Sequence, residues 1–241
     1  MPYTQSPTPR RNKRSSKATR SSKIAEALRQ TILRGDLKPG SKVNLDQLRE
    51  HYDVSLSPLR EAISRLVAVG LVEFVDQRGY YVAPVSVENL REVTALRAMC
   101  EGRALAESIA GADVEWESEV LAALHRLDRI RRDPGDQTTI ENWEAAHTEF
   151  HMALIAGCDM PMLQSFCATL HNLNDRYRRI LIRRHAGDRD VQGEHDAIAQ
   201  AAVARDAEGA VELLRKHIER TGDNLLRHLK NQLDAGEEVQ K

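Results

Sequence analysis

The stretch Val54–Leu71, VSLSPLREAISRLVAVGL, has the punctuation of one short helix. Ser55 or Ser57 can accept a hydrogen bond from a free N–H of the first turn, and Pro58 falls where a missing donor costs nothing. Leu59, Ala62, Ile63, Leu66 and Val67 recur at three- and four-residue steps and form one apolar face. Ser57, Arg60 and Ser64 occupy the opposite face. Gly70 closes the helix, and Leu71 opens a strand-like run. A helix apolar behind, with hydroxyls and an arginine in front, fits a nucleic-acid groove as well as an ordinary protein surface.

The flanking sequence decides between these uses. Upstream, Ser22–Arg34 predicts a helix with Ile24, Leu28, Thr31 and Ile32 on one face and Gly35 at its end. Asp36–Gly40 is a turn. Asn44 then caps a short helix with Gln47 at the capping-box position and Leu45, Leu48 and Tyr52 facing inward. Downstream, LVEFV (71–75), a four-residue turn Asp76–Gly79 and YYVAP (80–84) predict a hairpin. Three helices, the second pair in helix-turn-helix spacing, followed by a hairpin, describe a winged helix-turn-helix.

The whole chain has 241 residues, enough for two domains, and its 4% aromatic content with abundant Leu, Ala, Arg and Glu points to a mainly α protein. No apolar run approaches membrane-spanning length, and the basic N-terminus lacks the hydrophobic segment of a secretory signal. Cys100, Cys158 and Cys167 contain no C-x-x-C pair, as expected of reduced thiols in a cytoplasmic protein. The net charge of −1 hides an asymmetry. Through Val85 there are fifteen Lys and Arg against eight Asp and Glu, net +7, leaving −8 for the remainder. A basic front half suits a polyanion partner. Residues 1–20, basic and rich in Pro, Ser and Thr, read as a disordered tail.

From Val87 to about Lys230 the sequence predicts six helices, near Val87–Ala110, Asp113–Arg132, Thr138–Ala156, Met160–His185, Asp188–Ala204 and Asp206–Leu229. A bundle of this size can enclose a ligand cavity. His147 and His151 are four apart on one face of the third of these helices, in the stripe Ile140, Trp143, His147, His151, Leu154. His195 and His217 belong to the inward stripes of the fifth and sixth. Four imidazoles pointing into one bundle suit either water-filled polar space or a shared metal, zinc or nickel best. Arg97 lies beside the stripe Val93, Leu96, Cys100, where it can reach into a pocket or pair with Glu101 at i,i+4. Asn174 and Tyr177 share a face with Leu170 and Leu181 and can hydrogen-bond a ligand or simply pack. Arg176, Arg178, Arg179, Arg183 and Arg184 read as a solvated or dimer-facing strip.

The run KIAEALRQTILRGDLKPG through VSLSPLREA, the L-x-x-x-G-L-V hinge and RGYYV resembles the DNA-binding domain of the GntR family of bacterial transcription regulators. The resemblance implies that Ser55, Ser57 and Arg60 meet base edges or phosphate, that Arg49 holds the backbone, and that Arg78 and Gly79 at the wing approach the minor groove. Leu56 departs from the arginine often found between the two hydroxyl residues. The back half, through Phe150-His151, Glu194–Ile198 and Lys216–Ile218, resembles the all-helical FCD domain of the FadR-type branch, in its six-helix, VanR-like version. Relatives commonly ligate a divalent metal with one carboxylate and three histidines. His151, His195 and His217 match the histidines, and His147 stands where Asp is usual. Four neutral ligands leave the metal's charge uncompensated, which favours an anionic effector. The resemblance also places an effector-binding arginine near Arg97.

The expected organisation is a tail (1–20), a winged helix-turn-helix (21–85), an effector-binding and dimerisation bundle (86–230) and a flexible tail (231–241). The expected function is a homodimeric regulator, more a repressor than an activator, whose operator affinity follows a small organic acid bound at a metal-containing pocket. The alternatives are a metal-dependent hydrolase using the histidines and a regulator whose bundle only dimerises. The spacing His147-Thr-Glu-Phe-His151 disfavours the hydrolase, because Glu149 points away from the ligand face.

Overall fold

The computed structural model describes residues 19–133, 135–181 and 190–234. The front half is built as its sequence predicts. Helix α1 spans Arg20–Arg34; Thr19 caps it by accepting from the Ser22 N–H, and Gly35 closes it at φ 78°. Because Thr19 is the cap, α1 starts two residues earlier than expected. Arg20 therefore belongs to this domain, where it donates to the carbonyls of Tyr52 (3.5 Å) and Asp53 (2.6 Å). Residues 1–18 of the expected tail lie outside the described residues.

Helix α2 spans Leu45–Tyr52, and the Asn44 side chain accepts from the N–H groups of Asp46 and Gln47. Helix α3 spans Leu56–Ala68 and buries Leu59, Ala62, Ile63 and Leu66. Strands β1 (Val72–Val75) and β2 (Gly79–Val82) pair antiparallel, Val72 opposite Val82 and Val75 opposite Gly79. The turn thus has three residues rather than four: Gln77 takes a positive φ of 59° and Gly79 already sits in the ladder. Ile24, Leu28, Ile32, Leu59, Ile63, Leu71 and Val82 form a continuous core between α1, α3 and the hairpin.

The back half contains six helices among the described residues: α4 Val87–Ala110, α5 Val114–Asp128, α6 Gln137–Leu154, α7 Pro161–Leu181, α8 Val191–Val203 and α9 Ala207–Asp234. They share a core including Leu105, Ile109, Val120, Phe150, Leu154, Ile198 and Leu214. The α4–α9 packing is close: a Cβ added at Gly222 would meet Thr94 Cγ2 at 2.4 Å. Helix α9 runs to Asp234, so residues 231–234, expected in a flexible tail, are helical, and 235–241 lie outside the described residues.

Helix α7 packs against both halves. Toward the front, Asn172 accepts from Arg29 Nη1 (3.0 Å), Leu173 packs against the α1–α3 core beside Gly70, and Arg176 donates to the Ala83 carbonyl. Arg176, Arg178 and Arg179 are consequently buried, not the solvated or dimer-facing strip their charge suggests. Asp175 accepts from both Arg178 (3.2 Å) and Arg179 (3.0 Å), so those two enclosed guanidinium groups have a counter-charge, while Arg176 is met by the Ala83 carbonyl. Arg183, Arg184 and His185 lie outside the described residues.

Candidate functional site

Two surfaces carry chemistry. The first is the exposed face of α3 and the wing. Ser55, Ser57 and Arg60 are exposed there, with Arg49 on α2 and Arg78 at the wing. Ser55 occupies the N-cap position, yet its side chain makes no capping bond. The expected serine cap is therefore not formed, and first-turn N–H groups of α3 remain available to an incoming oxygen. Arg60 has no acidic partner among the described residues, whereas its neighbour Arg65 pairs with Glu61 at 2.7 Å. The Arg78 guanidinium lies 5.6 Å from the Tyr81 ring centre. Gly79, at φ 96°, supplies the left-handed backbone that brings the chain back into β2.

The second is a buried histidine centre among α6, α8 and α9. One nitrogen of each of His147, His151, His195 and His217 falls within 4.8 Å of the others, and all four residues are buried. The ring centres of His147 and His151 are 4.5 Å apart, and those of His195 and His217 are 4.7 Å apart. Carboxylates orient two rings from outside: Glu101 Oε2 is 3.1 Å from His151 Nδ1, and Glu194 Oε2 is 2.9 Å from His217 Nδ1. With its Nδ1 so engaged, His151 presents an Nε2 that is buried and unpartnered, as is His195 Nε2. Buried imidazole nitrogens without partners, with carboxylates behind the His151 and His217 rings, fit a divalent metal. Burial also keeps His147, His151 and His195 neutral, as ligation requires. Desolvation, reinforced by the Arg178 charge, holds His147 well below the ordinary range, and it carries His151 down to about 4 despite Glu101. Desolvation with the neighbouring His217 lowers His195 as well.

A second polar layer backs the first. Arg97, buried on α4, forms a two-pronged ion pair with Glu101 (2.7 and 3.2 Å) and reaches His171 Nδ1 at 3.1 Å. The ion-pair reading of Arg97 is the one the geometry carries: it pairs with Glu101, and the pair lies against His151 and His171. Burial alone would raise the Glu101 pKa, but Arg97 and hydrogen bonds from His151 and His171 hold it well below the carboxylate range. Glu101, His151 and His171 also lie close enough to form a three-ligand set, but the Arg97 guanidinium already lies against two of its members. On the opposite side, Arg178 Nη1 is 2.7 Å from His147 Nδ1 and 3.2 Å from Nε2, and Arg178 also donates to Glu144. Ligation through His147 therefore requires that guanidinium to withdraw. Burial pushes Glu144 up to about 7 in spite of Arg178. A cleft of about 550 Å³ lined by Gly193, Glu194, Lys216, His217 and Arg220 opens beside the centre.

Residues 20–82 match the family described as "Bacterial regulatory proteins, gntR family", and residues 92–220 match the FCD domain. The chain belongs to the GntR family of transcription regulators. It is 40% identical over 198 residues to the uncharacterized HTH-type transcriptional regulator BphR of Paraburkholderia xenovorans, covering 80% of each chain. It is 35% identical over 195 residues to the HTH-type transcriptional repressor GlaR of Escherichia coli, covering 79% of this chain and 89% of that one. The solved structure of E. coli McbR/YncC shares the fold, with TM-score 0.73 at 22% identity over 88% of this chain and 99% of that one.

A GntR regulator with an FCD domain is a DNA-binding protein, not an enzyme, which removes the hydrolase alternative. The geometry agrees: Glu149 is exposed and pairs with Arg126 at 2.8 Å, away from the histidines. Of the residues singled out in sequence, the four histidines converge, Arg97 backs them, and Asn174 is buried on α7 with Nδ2 unpartnered. Tyr177 lies elsewhere. Its hydroxyl accepts from the Ser86 N–H (3.2 Å) and donates to Asn89 Oδ1 (2.8 Å), fastening α7 to the start of α4. Sequence reading missed His171, although it stands one helical turn before Asn174 on α7. It also gave no role to Glu194, whose neighbour His195 drew attention. No described helix is long and apolar enough to cross a membrane.

Proposed function

We propose that this GntR regulator is a cytoplasmic, homodimeric repressor whose operator affinity is set by a small organic acid bound beside a divalent metal, zinc or nickel, in the FCD bundle. The observation that supports the metal is the convergence of four buried imidazoles with unpartnered Nε2 atoms on His151 and His195. His147, His151, His195 and His217 would hold it, and when bound it supplies a positive centre that attracts a carboxylate. Glu101 and Glu194 orient the rings, while Arg97 and Asn174 are the candidates for contact with the effector. On the DNA side, Arg60, Ser55 and Ser57 would meet the major groove, Arg49 the backbone, and Arg78 with Gly79 the minor groove. The repressor reading draws on GlaR, and the dimer on the need of a small winged domain for paired half-sites. The proposed units are residues 21–85 for DNA and 86–230 for sensing; Arg20 opens α1, and residues 231–234 continue α9.

The test is His151→Ala combined with His195→Ala. After incubation with zinc and removal of excess, elemental analysis should find the double variant empty and the native protein loaded. Equal metal content would refute the assignment.

A further inference from the structure

A cleft of about 700 Å³ lies between the wing and the start of α2 and is reached by Arg60 of α3; its lining includes Lys42, Asp46, Arg60, Phe74, Arg78 and Tyr80. Three cations face one carboxylate, so the cleft suits a phosphodiester strand. Phe74 is out of keeping with this polar setting. On β1 it shares a face with Val72, and that face is core at Val72 and open at Phe74, which is 58% exposed. Tyr80 stands directly across the ladder, with its ring centre 5.2 Å from that of Phe74. The result is an exposed apolar surface in the same cleft as Arg60, one ladder pair from the wing turn.

We infer that Phe74 is a specificity-determining residue that contacts the C5-methyl group of a thymine in the operator half-site. The methyl projects from the major-groove edge of the base and is the apolar feature of DNA that a phenyl ring can read. Arg60, lining the same cleft, supplies the polar contact beside it, and Lys42 faces phosphate. The inference rests on the DNA-binding reading of this face.

The experiment uses full-length protein and an operator selected by that protein from random-sequence duplexes. Failure to enrich any sequence would count against the DNA-binding reading itself. With an operator in hand, each thymine is replaced singly by deoxyuridine, which removes only the methyl group. The native protein should lose affinity about fourfold at one thymine of each half-site, the worth of one buried methyl. Phe74→Ala should bind the unmodified operator more weakly by a similar factor and be indifferent to that replacement, while Phe74→Leu should keep part of the sensitivity. Its unfolding midpoint is checked alongside, and the uridine scan of the native protein and of Phe74→Leu needs no alanine variant. The inference is overturned if no thymine methyl matters to the native protein, or if Phe74→Ala keeps the native pattern or the native affinity.

Discussion

The His151 side chain has one nitrogen on Glu101 and the other buried without a partner, and the consequence is measurable as stability. Its pKa is held down to about 4 by desolvation, and His147, His171 and His195 are lowered too. Between pH about 6.5 and 4 the unfolded chain binds protons that the folded chain refuses, so stability falls as pH falls through that window. His151 alone accounts for on the order of 3 kcal/mol across it. Glu144, pushed up to about 7, works the other way: between pH about 7 and 4.5 the folded chain takes up a proton that the unfolded chain does not. Four imidazoles outweigh one carboxyl group. Chelator-treated protein should therefore melt at a lower temperature at pH 5 than at pH 7; an equal or higher midpoint at pH 5 would mean that the rings are not sealed from water. The four ligand candidates were legible in sequence because i,i+4 spacing and helical stripes put them on inward faces. Their outer partners were not, because Glu194 and Glu101 reach the rings across helix pairs, a relation that periodicity within one helix does not encode.

At the scale of the element, α3 and α7 contrast. Helix α3 was readable from end to end, since its apolar stripe, Pro58 and Gly70 are local signals, and Gly70 does take φ +70°. The local reading failed only at the cap, where the Ser55 hydroxyl is left unused. On this helix Arg60→Ala should weaken binding to a selected operator by about 1–3 kcal/mol and relax preference at one position, as quantitative gel-shift titration would register. Unchanged affinity would place Arg60 outside the interface. Helix α7 was misread because its arginines suggested solvent. Charge in a sequence reports solvent exposure only where no acid on another helix waits to meet it, and Arg178 has Glu144 on α6.

For the whole molecule, the two faces of α7 join the histidine-bearing bundle to the winged helix-turn-helix. His171 and Arg178 belong to the polar centre, while Asn172, Leu173 and Arg176 hold the front half. Leu173 lies against Gly70, at the C-terminal end of the recognition helix, with contacts at 3.5 and 3.8 Å from the position of an added Cβ. Leu173→Ala should leave zinc binding and basal operator affinity close to native while reducing any change in operator affinity that zinc produces, a coupling of about 1–3 kcal/mol in comparable systems. Titrations with and without zinc measure it; a full response in the variant would remove this contact from the path. The fold of each half was legible, but this junction was not, because it joins residues 93 to 143 positions apart through side chains with no pattern of their own. The Arg97 ion pair carries a last consequence, for stoichiometry. Glu101, His151 and His171 would otherwise offer a neighbouring berth, but a guanidinium bound into the fold already neutralises it. Zinc titrated into chelator-treated protein should saturate at one equivalent per chain.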